Sequence, residues 1–66
     1  MRFKTFIGRN IHGDQTELFQ FGPEHYRKAG IPYSPYSGMP VLEANEIVND
    51  LNQNRAEHQF VYYLAA

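Results

Sequence analysis

The stretch Val41-Leu42-Glu43-Ala44-Asn45-Glu46-Ile47-Val48-Asn49-Asp50-Leu51-Asn52 decides the fold. Val41, Ala44, Ile47, Val48 and Leu51 recur at the i, i+3, i+4, i+7 spacing of one helical stripe, while Glu43, Asn45, Glu46, Asn49, Asp50 and Asn52 fill the opposite arc. Pro40 suits the first turn, Ser37 is a candidate cap, and Asn52-Gln53-Asn54 lowers helix propensity enough to mark the end. A helix with one apolar side needs a second layer to lie on.

That layer is read from the flanking sequence. Downstream, His58 to Leu64 (His-Gln-Phe-Val-Tyr-Tyr-Leu) is a strand with almost no polar interruption, the pattern of a strand covered on both faces. Upstream, Arg2 to Ile11 reads as one strand, with Phe3, Thr5 and Ile7 on one side and Arg2, Lys4 and Phe6 on the other. His12-Gly13-Asp14-Gln15 is a turn in which Gly13 can supply a positive φ, and Thr16 to Phe21 returns as the second strand of a hairpin. Gly22 to Gly30 then carries Pro at the first helical position, Glu24 in the first turn, Arg27 and Lys28 in the last, and Gly just after, which predicts a short helix docked through Tyr26 or Ala29. Gly30 to Met39 is an ordered loop stiffened by Pro32 and Pro35, with Pro-Tyr-Ser written twice in succession.

The expected fold class is α+β, a small β-β-α-β domain over residues 1–66. A three-stranded antiparallel sheet in the order 2-1-3 carries the main amphipathic helix on one face through a right-handed crossover, with the short helix and the Pro/Tyr loop before it. One domain is all that 66 residues allow, because so short a chain buries only about 60% of the surface it exposes unfolded. The main helix followed by an aromatic strand looks like that of many small bacterial and phage accessory proteins. This likeness restates an amphipathic helix beside a sheet and carries no residue roles.

Composition removes several function classes. The absence of cysteine excludes a disulfide scaffold, a thiolate nucleophile and Cys-based zinc or iron–sulfur sites. No apolar run reaches the roughly 18 residues of a membrane span, and Met1-Arg2-Phe3-Lys4-Thr5 lacks the apolar stretch of a secretory signal, so a cytoplasmic location without membrane contact is expected. With six Lys+Arg against seven Asp+Glu, the chain lacks a global basic field. The charge is nevertheless divided, net +2 over residues 1–33 and net −3 over residues 34–66.

One helix stripe covers one face of such a sheet. The residues expected to face it are Phe3, Ile7, Phe19 and Phe21, with either Phe60, Tyr62 and Leu64 or Val61 and Tyr63. The other face keeps large apolar groups, and either the Ile31–Met39 loop folds under it or another chain covers it. A 66-residue chain with no staple favours a second chain, and homodimerisation is the commonest form. The expected dimer or ligand face is Phe6, Leu18, Tyr62 and Tyr63, and the expected partner-binding set is Tyr26, Tyr33, Tyr36 and Met39, because tyrosine combines a large rigid contact with a polar tip.

Catalytic and metal readings find less support. His12, His25 and His58 share no zinc-ligand spacing, so neither metal nor cofactor is expected. His12, Asp14, Glu17, Ser34 and Ser37 could furnish a nucleophile and base only by converging in space, whereas Asp14 is explained by its turn and Ser37 by capping; no catalytic residue is assigned and an enzyme is not expected. Glu43, Glu46 and Asp50 read as a solvated helix face. The leading expectation is a non-catalytic, homodimeric protein-binding module acting stoichiometrically, as small regulators and inhibitors do. The alternative is a nucleotide or single-stranded nucleic-acid binder, with Arg2, Lys4 and Arg9 as phosphate contacts beside Phe6.

Overall fold

The computed structural model describes residues 1–54 and 60–65. Its elements run β1 (Arg2–Phe3), β2 (Thr5–Arg9), β3 (Thr16–Gln20), α1 (Pro23–Ala29), β4 (Met39–Pro40), α2 (Val41–Asn54) and β5 (Val61–Leu64). β3, β2 and β5 form an antiparallel sheet in that order, which is the expected 2-1-3 arrangement, and β1 pairs with β4 in a separate two-stranded ribbon. His58 and Gln59, read as the start of the last strand, lie outside the described residues.

The single strand expected from Arg2 to Ile11 is two strands with different partners. The chain bends at Lys4: before it Phe3 pairs with Met39, and after it Thr5 pairs with Gln20. The bend resets the two-residue alternation, so Phe3 packs against the core and Phe6, three residues on, is buried in it. This corrects the face assignment along β2. Phe6 points inward and Ile7 outward, the reverse of the alternation read from an unbroken strand. Gly38 makes the ribbon possible, with φ 86° and a position where an added Cβ would lie 3.0 Å from the Phe3 carbonyl carbon and oxygen.

The core is Phe6, Phe21, Tyr26, Met39, Ala44, Ile47 and Val48. Three of these come from the helix stripe that the sequence marks, and Leu51 packs beside them half-buried. Phe19 stacks on Phe6 at 5.3 Å between ring centroids, and Tyr62 meets both edge-on at 5.8 Å. These rings close over Gly8, where an added Cβ would stand 2.8 Å from the Phe19 ring and 3.0 Å from that of Tyr62. Glycine in the central strand is therefore the residue that lets the aromatic layer lie flat on the backbone.

α2 begins at Val41, whose N–H donates to the Met1 carbonyl at 3.0 Å. The expected cap Ser37 instead lies in the turn before Gly38, and Pro40 belongs to β4, because the strand pairing carries the chain directly into the helix. α1 forms as expected and buries Tyr26. The His25 ring Nδ1 accepts the Gly22 N–H at 2.9 Å, which ties the first turn back to its own entry.

Asn52 has a specific task at the other end of α2. Its amide donates to the Tyr62 carbonyl at 2.9 Å and accepts the Tyr62 N–H at 2.8 Å, pairing both backbone groups of one β5 residue. Asn52→Ala should therefore cost about 2 kcal/mol, since it orphans two part-buried backbone groups. The urea midpoint measures this, and a shift equivalent to less than about 0.5 kcal/mol, the ordinary effect of a surface change, contradicts it.

Candidate functional site

Among the described residues the sheet has one face on α2 and one face open. Cross-strand register places Thr5, Ile7 and Arg9 of β2, Thr16, Leu18 and Gln20 of β3, and Val61 and Tyr63 of β5 together on the open face. Ile7 sits between Leu18 and Tyr63 in one row, and Arg9 between Thr16 and Val61 in the next. Leu18 is 67% exposed, Val61 41% and Tyr63 38%. The Arg9 guanidinium lies 5.9 Å from the centre of the Tyr63 ring, a cation–π contact worth about 0.5–1 kcal/mol at an exposed site. Beyond this row, Arg9, Ile11, His12, Val61 and Tyr63 border an open cleft of about 430 Å³. The face is thus an apolar row with a cation and a shallow depression at one end.

The Ile31–Met39 loop does not cover this face. Its Tyr33 ring meets Tyr26 at 5.3 Å, the Ser34 carbonyl accepts the Tyr26 hydroxyl at 3.1 Å, and its last residue pairs with Phe3. All three contacts hold the loop against α1 and the β1–β4 ribbon. Of the two coverings expected for the second face, the protein's own loop is therefore the one the geometry removes.

The expected dimer or ligand set divides between the two faces. Leu18 and Tyr63 are on the open face; Phe6 is buried and Tyr62 packs against the core, so neither offers a surface there. The expected partner-binding set divides likewise. Tyr26 and Met39 are fully buried, whereas Tyr33 is half exposed and Tyr36 stands 91% exposed at the tip of the loop. Ile7, Val61 and Arg9 join the open face without having been assigned to it. The signal for Ile7 and Arg9 was the alternation within β2, lost when its phase was carried through the bend at Lys4; Val61 shares its side of β5 with Tyr63.

The three expected phosphate contacts are not one cluster. Arg2 and Lys4 border a cleft of about 430 Å³ with Phe3, Thr5 and Ser37, whereas Arg9 lies five extended residues from Lys4, about 16 Å along the chain. Arg2 is also committed to structure, its Nε donating to the Gly38 carbonyl at 3.0 Å. Among the described residues no three His, Asp or Glu side chains converge. Asp14 accepts from the Asn10 side-chain amide, and Asn10 Oδ1 accepts the Gln15 N–H at 3.0 Å, which places both in the turn's own hydrogen bonding. His58 lies outside the described residues. Lys28 and Asp50 approach to 3.6 Å between α1 and α2, both well exposed, an ion pair worth little. No helix among the described residues is long and apolar enough to cross a membrane.

Comparison with protein-family models, curated protein sequences and solved structures found no match.

Proposed function

We propose that this chain is a small non-catalytic protein-binding module that acts by stoichiometric contact with a protein partner, in the manner of a regulator or inhibitor, and as a homodimer. The observation that carries this reading is the Ile7–Leu18–Tyr63 row with Val61 beside it, which the Ile31–Met39 loop leaves uncovered. A contiguous apolar patch of this kind marks an interface more than scattered apolar groups do. Arg9 at its end adds a directional charge, and Tyr36 supplies a second, separate contact point.

The test is a pair of folded variants. Leu18→Ser with Tyr63→Ser should cost no more than about 1.5 kcal/mol together, about 0.5 for the exposed Leu18 and about 1 for the lost Arg9–Tyr63 contact, while abolishing capture of the partner from cells that make the protein. Tyr33→Ala with Tyr36→Ala should weaken capture less. Undiminished capture by the folded Leu18/Tyr63 variant contradicts the reading, and so does a stability loss above about 2 kcal/mol, which would mean that the face is buried by the chain itself.

A nucleotide or single-stranded nucleic acid is the second reading, favoured by one observation, the placing of Arg2 and Lys4 along one cleft with Thr5 and Ser37. Phe6 supplies no stacking platform for it, being buried. This reading requires affinity that falls steeply with salt and with Lys4→Gln.

A further inference from the structure

We propose that β3 is a pairing edge for a second copy of this chain, joined antiparallel about a two-fold axis at Leu18, so that two three-stranded sheets become one of six strands. The inference rests on the reading of the open face as a contact surface and places the second copy at the β3 edge of that face.

Hydrogen bonds fix the direction of every backbone group in β3. The Lys4 carbonyl accepts the Phe21 N–H at 3.0 Å, and the Asn10 N–H donates to the Gln15 carbonyl at 3.0 Å. Gln15, Glu17, Phe19 and Phe21 therefore turn their groups toward β2, and alternation turns those of Thr16, Leu18 and Gln20 to the outer edge. The same alternation carried across β2 makes Ile7–Tyr63 and Arg9–Val61 the bonded pairs, so Tyr62 addresses the opposite edge of the sheet. There Asn52 takes both of its groups. One edge is closed by a side chain; the β3 edge has no such partner among the described residues.

Natural edge strands are blunted by proline, lysine, bulges or covering loops. Thr-Glu-Leu-Phe-Gln contains neither proline nor lysine, and its register with β2 runs unbroken from Thr5–Gln20 to Arg9–Thr16. The strand is also self-complementary. It has five residues with Leu18 in the middle, so an axis at Leu18 sets Thr16 opposite Gln20 of the second copy and joins the free groups in about six hydrogen bonds. Glu17 then falls opposite Phe19 of the second copy, and like charges do not face each other directly. On the open face the row Tyr63, Ile7, Leu18 meets its own image, doubling the apolar stripe without a break. A strand from a different protein could fill the backbone groups, but a second copy brings leucine to leucine.

Sedimentation of the full chain from micromolar to millimolar concentration should show a reversible monomer–dimer equilibrium. Leu18→Lys places two ammonium groups across a pair whose Cα atoms are about 5.5 Å apart and should raise the dissociation constant at least about tenfold; Tyr63→Lys, on the same face but another strand, should change it by less than about threefold. Melting curves check that both variants fold. Because the natural chain has no cysteine, Leu18→Cys should oxidise to a covalent dimer much faster than Thr16→Cys or Gln20→Cys, whose copies sit about 14 Å apart. A monomer at every concentration, a dimer indifferent to Leu18→Lys, or equal cross-linking at all three positions overturns the pairing. If the chain stays monomeric while Leu18→Ser with Tyr63→Ser still loses its protein partner, the edge pairing and the homodimer fall and the protein-binding part of the proposed function stands. A dimer of the expected kind with undiminished partner capture gives the reverse.

Discussion

Phe6→Ala should remove a large part of the chain's stability at 25 °C. Phe6 is 3% exposed and its ring meets those of Phe19, Phe21, His25 and Tyr62 at 4.9 to 5.8 Å, so truncation opens a cavity in the middle of the aromatic layer. Such a change costs about 3–5 kcal/mol, against a total stability of about 3–10 kcal/mol for a chain of this length. Leu18→Ala, one pair along the same two strands, should cost no more than about 0.5 kcal/mol, because Leu18 is on the open face. Circular dichroism against urea separates the two. Similar losses would mean that the two residues share a face, as an unbroken first strand would place them.

That comparison also marks where the sequence could be read and where it could not. The α2 stripe, the hairpin and the short helix follow from spacing and turn chemistry within a few neighbouring residues, and the 2-1-3 order from laying the helix across one sheet face. The bend at Lys4 does not. It exists because Arg2–Phe3 finds Met39–Pro40, a pairing across more than thirty residues with no local signature beyond Gly38. Carrying the alternation through the bend exchanged Phe6 for Ile7, and with them one of the four residues of the expected binding face. Asn52 shows a second limit. As a helix-weakening residue it was legible; as the clamp on Tyr62 it was not, because its partner is ten residues away on another element. The open face itself could be anticipated from the surplus of large apolar groups, and its membership only in part, through Leu18 and Tyr63.

Tyr26→Ala should be the second most damaging substitution, at about 3–5 kcal/mol. The ring is 1% exposed, it packs edge-on against Tyr33, and its hydroxyl donates to the Ser34 carbonyl, so it joins α1 to the loop as well as filling the core. Tyr26→Phe keeps the ring and should cost about 1 kcal/mol for the lost bond. The phenol also gives the chain an alkaline limit. Burial pushes its pKa above the ordinary tyrosine value, opposed by Arg2 and assisted by Tyr33. Above about pH 10 the unfolded chain releases this proton while the folded chain keeps it, so stability is full below that pH and falls as pH rises toward the folded pKa. Between pH 9 and pH 11 the melting temperature of the natural chain should therefore drop more than that of Tyr26→Phe. Equal drops would place the alkaline sensitivity elsewhere.

Amide hydrogen exchange along β3, followed residue by residue as the protein is concentrated, is the most direct test of a chain that keeps one sheet edge and one sheet face for a partner. In dilute solution Glu17, Phe19 and Phe21, bonded to β2, should exchange slowly, while Thr16, Leu18 and Gln20 exchange fast. On concentration the second group should become protected, with Leu18 the slowest of the three. Fast exchange at Leu18 at every concentration, or slow exchange there even in the most dilute sample, would contradict the account.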